Sequence, residues 1–209
     1  MSYVWPVDTD SRPPNNWLAM KLVSNTTDVS DRAIWAILRH LGADGVSCAV
    51  KVKNSFKKPY FLGTFYPHLG GEIVASNGRR YEMGGGKFGC DHLITLRLPL
   101  LYLPMAMRTE NGRVYVEIPS RMAGLALVAA HEVEHAQRFE AGLDYKNERA
   151  CDARALETAR RLGLRVARRR DDLAVYEWSP EGVRLADLAA GGRRSLACPA
   201  PKNECDSYG

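Results

Sequence analysis

The longest helical pattern in the chain runs from Ser120 towards Gly142. Apolar side chains recur there at steps of three and four residues, at Met122, Leu125, Ala126, Ala129, Val133 and Ala136. This spacing places them on one face of an α-helix, and a serine is a favoured N-cap. Neither Gly nor Pro occurs between Gly124 and Gly142. The pattern therefore predicts a long helix, and its almost wholly apolar first half indicates a buried, central position.

The rest of the chain alternates between helical and extended patterns. A first helix is predicted after the cap Asp28 or Ser30, and a later one over Asn147–Leu162, where Gly163 would end it. Strands are predicted at Val46–Val52, Tyr60–Tyr66, Glu72–Ala75, His92–Leu98, Arg113–Ile118 and Leu173–Trp178. A short helix is predicted at Pro180–Ala190, and the glycine-rich residues 77–89 are predicted to be a connection. The fold class is therefore α+β.

The composition is that of one globular domain. The chain has 209 residues, of which 45% are hydrophobic. We expect an irregular arm at residues 1–27, a single domain at 28–190 and a flexible tail at 191–209. No signal peptide is apparent, and the most apolar stretch, Leu93–Met107, is too short and too interrupted to cross a bilayer. The expectation is a cytoplasmic protein without a membrane partner.

Cysteine usage does not suggest a disulfide framework. The chain has five cysteines, an odd number, and Cys48, Cys90 and Cys151 are scattered singly. We expect Cys48 and Cys151 to be small buried residues.

Positive charge is concentrated in one segment. The formal net charge is +5, and six arginines lie in residues 160–170. One interpretation is a solvated helix end, where cations also suit the helix dipole. The other is a docking surface for an acidic protein or for nucleic acid phosphates. Aromatic residues that could stack on bases are not interleaved, so the segment gives no sign of base recognition.

The central helix carries the chemistry. His131-Glu132-Val133-Glu134-His135 is an H-E-x-x-H string. On a helix its two histidines project from one face, one turn apart, and can share a zinc ion. Glu132 would then lie beside the open coordination position, where it can act as a general base on a bound water. Burying these groups is costly unless a metal ion coordinates them.

A catalytic zinc site needs a third protein ligand, and two carboxylates compete for that role. Both lie in the stretch Asn147-Glu148-Arg149-Ala150-Cys151-Asp152. Counting residues about a turn between two antiparallel helices favours Asp152, whereas Glu148 has the longer side chain. The residues alone leave the choice open.

These two stretches resemble the gluzincin metallopeptidases, the thermolysin-like group of zincins, in which H-E-x-x-H is followed by a helix with N-E-x-x-S-D. Cys151 stands in place of the serine. The resemblance implies Zn²⁺ as cofactor, Glu148 as the third ligand and Asp152 as a carboxylate that orients His131. It also implies a zincin-like fold, with a mixed or antiparallel sheet on the metal helix. In that fold an edge strand lines the cleft, which we expect to be His92–Leu98 or the hairpin arm after it.

The resemblance further implies a zinc-dependent peptidase acting on proteins or peptides. Tyr145, in the predicted loop between the two helices, is the candidate for stabilising the oxyanion, since the family uses a Tyr and a His and no His follows His135. The alternative is a non-catalytic zinc-containing module that uses Arg160–Arg170 to bind nucleic acid or an acidic protein. Glu132 argues against it, because a structural zinc site needs no general base.

Overall fold

The computed structural model of the protein describes residues 20–55, 61–68, 72–74, 80–82, 85–100, 103–109, 113–173, 176–179, 182–185 and 196–197. Within these ranges lie three α-helices: α1 (Asp31–His40), α2 (Arg121–Glu140) and α3 (Glu148–Arg161). Each begins after a polar cap, because the side chains of Ser30, Ser120 and Asn147 accept the backbone N–H three residues further on. Gly163, at φ 65°, follows the end of α3. The three helices predicted from caps and periodicity are thus confirmed.

Twelve strands lie in the described residues. They are β1 (Met20–Asn25), β2 (Cys48–Ser55), β3 (Leu62–Tyr66), β4 (Glu72–Val74), β5 (Arg80–Glu82), β6 (His92–Pro99), β7 (Met105–Thr109), β8 (Val114–Ile118), β9 (Val166–Ala167), β10 (Tyr176–Ser179), β11 (Gly182–Leu185) and β12 (Leu196–Ala197). The fold is α+β, as the alternation of patterns predicts.

A four-stranded mixed sheet forms the main layer, in the order β1-β2-β6-β3. β2 runs parallel to β1 and β6, and β3 runs antiparallel to β6. Three smaller sheets have the orders β7-β8-β9, β4-β5 and β10-β11-β12. The buried strands β2 and β6 and the apolar half of α2 share one core, to which Val50, Ile94, Leu125 and Ala129 belong. Burying α2 among these residues fixes the position of its later turns.

Three predictions about local structure are corrected. Residues 20–25 form β1 in the main sheet rather than part of an irregular arm, since Met20 and Leu22 pair with β2 and pack on the core. Residues 80–82 form β5, which pairs with β4, rather than a plain connection. Residues 182–185 form a strand, not a helix, and Leu196–Ala197 of the expected tail pairs with it. Residues 1–19 and 198–209 lie outside the described part.

Of the two alternatives predicted for the edge strand beside the cleft, the first, His92–Leu98, is wrong. β6 pairs with β2 on one side and with β3 on the other, so its backbone hydrogen bonds are used within the sheet. Most of its residues are buried rather than alternating with exposed ones, which is typical of an interior strand covered on both faces. Among the described strands, β3 takes this edge instead. No helix in the described ranges is both long and apolar enough to cross a membrane.

Candidate metal centre

The centre is built on one face of α2. His131 and His135 lie one turn apart there, and their Nε2 atoms are 3.0 Å apart. α3 packs beside α2 and brings Glu148, from its first turn, to the same point. One Glu148 carboxylate oxygen lies 3.1 Å from His131 Nε2, and the other lies 3.7 Å from His135 Nε2. The packing of the two helices thus brings the carboxylate of one to the histidine pair of the other.

The other ring nitrogens determine the tautomers. His135 Nδ1 is 2.5 Å from the carbonyl oxygen of Tyr145, and His131 Nδ1 is 3.1 Å from Asp152 Oδ1. Both partners are acceptors, so each Nδ1 must carry the proton in the neutral ring. Each Nε2 then presents a lone pair. The two Nε2 lone pairs and the Glu148 carboxylate face one another. These groups repel one another unless a cation or a proton lies between them.

The donor set fits zinc. Ligand atoms about 2.0–2.1 Å from a tetrahedral ion are about 3.3 Å from each other. The three separations among His131, His135 and Glu148 range from 3.0 to 3.7 Å. Two neutral imidazoles and one carboxylate are also the ligands found in thermolysin-type catalytic sites, which keep a position open. These side chains could therefore hold a zinc ion with little rearrangement.

Asp152 lies on the opposite side of the His131 ring from this point. It contacts Nδ1, whereas Glu148 contacts Nε2. The geometry therefore favours Glu148 as the ligand and Asp152 as the residue that orients His131. Residue counting left open whether Glu148 or Asp152 is the ligand. The answer depends on the direction in which the His131 imidazole points.

A third candidate ligand is Cys151, which the sequence suggested only as a buried residue. Its side chain is fully buried, and its sulfur lies within 4.8 Å of ligand atoms of both histidines. Burial, followed by three neighbouring carboxylates, raises the pKa of the Cys151 thiol to about 12. In the metal-free protein this thiol is therefore protonated at neutral pH, whereas the Glu148 carboxylate already faces the Nε2 atoms of both histidines.

His131 holds a proton more tightly than an ordinary histidine. Burial alone would lower its pKa, but the hydrogen bond to Asp152 and the charges of Glu132, Asp152 and Glu148 outweigh it, and the net direction is upward. A metal ion at this point would therefore have to displace a proton that these carboxylates stabilise.

Glu132 is held in a closely fitting position. Only 5% of its surface is exposed, and its carboxyl group lies against the backbone of β3 at Gly63. A hydrogen bond from the backbone of Phe65 also reaches this carboxyl group. Burial raises the pKa of Glu132 to about 7, while the nearby His131 opposes the rise. Such a value suits a general base that works near neutral pH.

A cleft of about 440 Å³ opens over these residues. It is lined by β3 with the residue before it, from Phe61 to Phe65, and by Met107–Thr109 of β7. β3 and β7 are each at the edge of their sheets among the described strands. The hairpin arm after β6 thus does line the cleft, but β3 forms the wall that touches Glu132. Leu127 and Val128, one turn before His131, contribute an apolar part of the lining.

Tyr145 lies in the loop between α2 and α3, as its position in the sequence predicts, and lines the cleft. Its ring packs edge-on against Phe139 and Phe65, with centroid distances of 5.2 and 6.1 Å. Its main-chain carbonyl orients His135. Tyr145 therefore contributes to the metal centre through its backbone carbonyl, which holds the His135 ring in position.

His92 helps to hold together the elements that carry the site. It is buried at the start of β6, its Nδ1 accepts the His68 backbone N–H at 2.9 Å, and its Nε2 donates to Glu140 at 2.8 Å. Its ring lies edge-on to Phe65, 5.4 Å away, and the Phe65 ring is parallel to that of His135. This arrangement ties the end of α2 to the strand pair β3 and β6.

Sequence patterns missed several residues of the cleft: Gly63, Phe65, Arg108 and Lys146. Only Gly63 carried a signal, because an isolated glycine in an aromatic strand pattern often marks a close approach of another group. Arg108 and Lys146 are exposed cations on different elements, and nothing in their local sequence distinguishes them from other surface cations.

Comparison of the chain with protein-family models, curated proteins and solved structures finds no match.

Proposed function

We propose that the protein is a zinc-dependent metallopeptidase with a zincin-like active site of the gluzincin type. His131, His135 and Glu148 are the zinc ligands, Glu132 is the general base, and Asp152 orients His131. The substrates are proteins or peptides.

The strongest support comes from the facing lone pairs of the two histidines. The Nε2 atoms of His131 and His135 are 3.0 Å apart, with the Glu148 carboxylate 3.1 Å from the first of them. Because Tyr145 and Asp152 occupy the two Nδ1 atoms, the facing acceptors need a proton or a metal ion between them, and a metal ion can satisfy all three groups at once. A cation-binding set of two histidines and one carboxylate beside a buried carboxylic acid supports a catalytic rather than a structural zinc site.

The residues of the chain have distinct tasks in hydrolysis. A bound zinc ion would supply Lewis acidity, polarising the scissile carbonyl and lowering the pKa of a water molecule. Glu132 accepts the proton of the attacking water on its carboxylate and then returns it to the departing amine. In the metal-free protein burial raises the pKa of Glu132 to about 7, so both its protonated and its ionised form are accessible near neutral pH. Tyr145, which lines the cleft, is the candidate donor to the oxyanion.

The edge of β3 supports a peptide as the substrate. β3 pairs with β6 on one side, and among the described strands its other edge is unpaired beside the cleft. An extended peptide can bind such an edge through main-chain hydrogen bonds, which do not depend on its side chains. The carbonyl to be cleaved would then lie near Glu132, because Glu132 contacts the same strand at Gly63.

The test combines metal analysis with cleavage of an unbiased peptide library. The parent protein is expected to bind one zinc ion and to cleave peptides. Glu132→Gln should keep the ion and lose at least about 10²-fold in kcat/KM, the usual contribution of a general base. Glu134→Gln is the matched control and should stay active, because Glu134 lies in the same motif but pairs with Arg138.

Two outcomes would contradict the proposal. If the parent binds no zinc, the assignment of the ligands is wrong. If the parent binds zinc but cleaves nothing, and Glu132→Gln changes neither metal content nor activity, the non-catalytic zinc-containing module is the better description.

A further inference from the structure

The six arginines of residues 160–170, here called the arginine segment, make this short stretch of the chain strongly basic. The segment contains the end of α3, the turn after it, β9 and the residues up to Arg170. All six arginine residues are exposed: Arg160, Arg161, Arg165, Arg168, Arg169 and Arg170. The proposed peptidase mechanism uses none of them.

Only part of this charge is neutralised nearby. Arg161 forms an ion pair with Glu157, and Arg165 lies 3.6 Å from Glu117. Arg160, Arg168 and Arg169 have no acidic partner among the residues that the structure describes. A concentration of exposed guanidinium groups of this kind creates a positive local potential that attracts polyanions.

Helix capping does not account for the whole segment. Arg160 and Arg161 lie in the last turn of α3, where cations compensate the helix dipole. Arg165, Arg168 and Arg169 come after the helix. They flank β9, which pairs with β8, and the backbone N–H of Glu117 donates to the Arg165 carbonyl at 2.9 Å. The backbone of residues 165–167 is thus held in place, so less backbone entropy is lost when the adjoining arginines bind a ligand.

The helical end of the arginine segment, Arg160 and Arg161, is far from the metal centre along α3. Glu148 begins this helix and Arg161 ends it. At about 1.5 Å per residue, the two ends are about 20 Å apart. β9, which the later arginines flank, lies nearer to the cleft, because it pairs with β8 and β8 pairs with the cleft-lining residues Met107 and Arg108 of β7. Duplex binding and peptide cleavage are therefore measured in separate assays.

The make-up of this surface favours a nucleic acid over a protein as its partner. Protein interfaces depend on buried aromatic or aliphatic anchors surrounded by polar groups. Within the arginine segment the one large apolar side chain that is exposed, among the described residues, is Val166, at 37%. Binding to a nucleic acid backbone needs no such anchor, because neutralised phosphates release counterions. Arginine also matches phosphate oxygens with two parallel N–H donors.

We propose that the arginine segment binds the phosphate backbone of double-stranded nucleic acid without recognising its sequence. A duplex is favoured over a single strand because the segment has no aromatic side chain on which unpaired bases could stack. This inference does not depend on the proposed peptidase activity. DNA and RNA duplexes share the phosphate chemistry, so both are used as probes.

The experiment measures fluorescence anisotropy of labelled DNA and RNA duplexes of mixed sequence, titrated with the full-length, zinc-supplemented protein at several salt concentrations. The test variant replaces Arg160, Arg168 and Arg169 by Gln. It should bind at least about tenfold more weakly, and its slope of log K against log salt should fall by about 2.7 if three phosphate contacts are lost. Circular dichroism and thermal unfolding verify that each variant is folded.

The matched control replaces Lys53, Arg113 and Arg149 by Gln, which removes three exposed cations elsewhere. It should bind duplexes as the parent does. Equal weakening of both triple variants would show that net charge alone matters and would overturn the proposal. So would a parent that binds neither duplex, or competition by poly-glutamate as effective as that by unlabelled duplex. Preferential binding of one duplex type would support the proposal and identify which nucleic acid the surface suits.

Discussion

The carboxyl group of Glu132 occupies the space that a side chain at Gly63 would need. A Cβ atom built on Gly63 would lie well under 3.0 Å from Glu132 Oε1, a separation that real Cβ contacts essentially never show. Because Gly63 is in the strand that borders the cleft, this contact fixes the distance between Glu132 and any peptide bound along β3. The glycine is therefore part of the proposed catalytic geometry although it has no reactive group.

Gly63→Ala is expected to abolish most of the activity without removing the metal. The added methyl group would displace the Glu132 carboxyl group, so kcat/KM should fall by about 10²-fold or more. Zinc content should stay at the parent level, since the contact at Gly63 is with Glu132 rather than with a proposed ligand. Steady-state kinetics and metal analysis measure the two quantities.

Gly45→Ala is the control for that change. Its Cβ would meet no heavy atom within 4 Å, so it should leave activity unchanged. A Gly63→Ala protein as active as the parent would mean that Glu132 need not occupy its present position.

Glu132→Gln is expected to stabilise the metal-free fold at high pH. The folded-state pKa of Glu132 is raised from 4.5 to about 7 by burial, so the folded protein retains a proton that the unfolded chain releases. The parent should therefore lose stability as the pH rises from about 4.5 to about 7, by at most about 3 kcal/mol. Gln is neutral throughout and avoids this loss.

Urea unfolding in the presence of a chelator, at pH 4.5 and pH 8, measures this effect. The stabilising difference between Glu132→Gln and the parent should appear at pH 8 and vanish at low pH. Glu157→Gln, which changes a partly exposed ion-paired carboxylate, should shift stability by less than about 1 kcal/mol. A difference of the same size at both pH values would rule out titration of Glu132 as its cause.

Asp152→Asn is expected to weaken zinc binding without removing a ligand. Asp152 orients His131 and raises its pKa, and loss of such a partner usually costs about 10–100-fold in metal affinity. Competition with a chromophoric chelator measures this affinity.

Glu157→Gln is the control for Asp152→Asn. Glu157 is also a carboxylate on α3, but it pairs with Arg154 and Arg161 rather than with a histidine, so this variant should bind zinc as the parent does. Equal affinities for Asp152→Asn and Glu157→Gln would show that Asp152 has no influence on the metal.

Zinc affinity of the parent should fall on acidification, starting above pH 6.5. The reason is that the pKa of His131 is raised from 6.5, so the proton competes with the metal over a higher pH range than for an ordinary histidine. Affinity measured from pH 5 to 8 gives the midpoint. A midpoint below that of an unperturbed histidine would contradict the upward shift.

The identity of the third ligand can be determined by two substitutions. Glu148→Gln should lose most of the zinc affinity, whereas Cys151→Ser should retain it. Cobalt substitution gives an independent readout, because a thiolate ligand produces an intense near-ultraviolet charge-transfer band. We expect no such band in the parent. A band that disappears in Cys151→Ser would instead assign the third ligand to the cysteine.

Local sequence was sufficient to predict the three described α-helices and the pair of histidines, although the helix predicted at Pro180–Ala190 was wrong. Caps and residue spacing are local properties, so Ser120, Asn147 and the four-residue step from His131 to His135 could be interpreted without knowing the fold. The same applies to the α+β class, since alternating and helical periods are visible along the chain.

The groups that meet at the metal centre depend on long-range packing. Whether Glu148 or Asp152 reaches the Nε2 side of His131 follows from how α3 packs against α2 and from which way the ring turns, and the spacing of residues contains neither. The edge position of β3 was equally hidden, because strand order follows from long-range pairing and burial rather than from the pattern of any one strand. The contact between Gly63 and Glu132 combines the two cases: the motif identifies the carboxylate, and the packing of an edge strand on α2 holds it in one place.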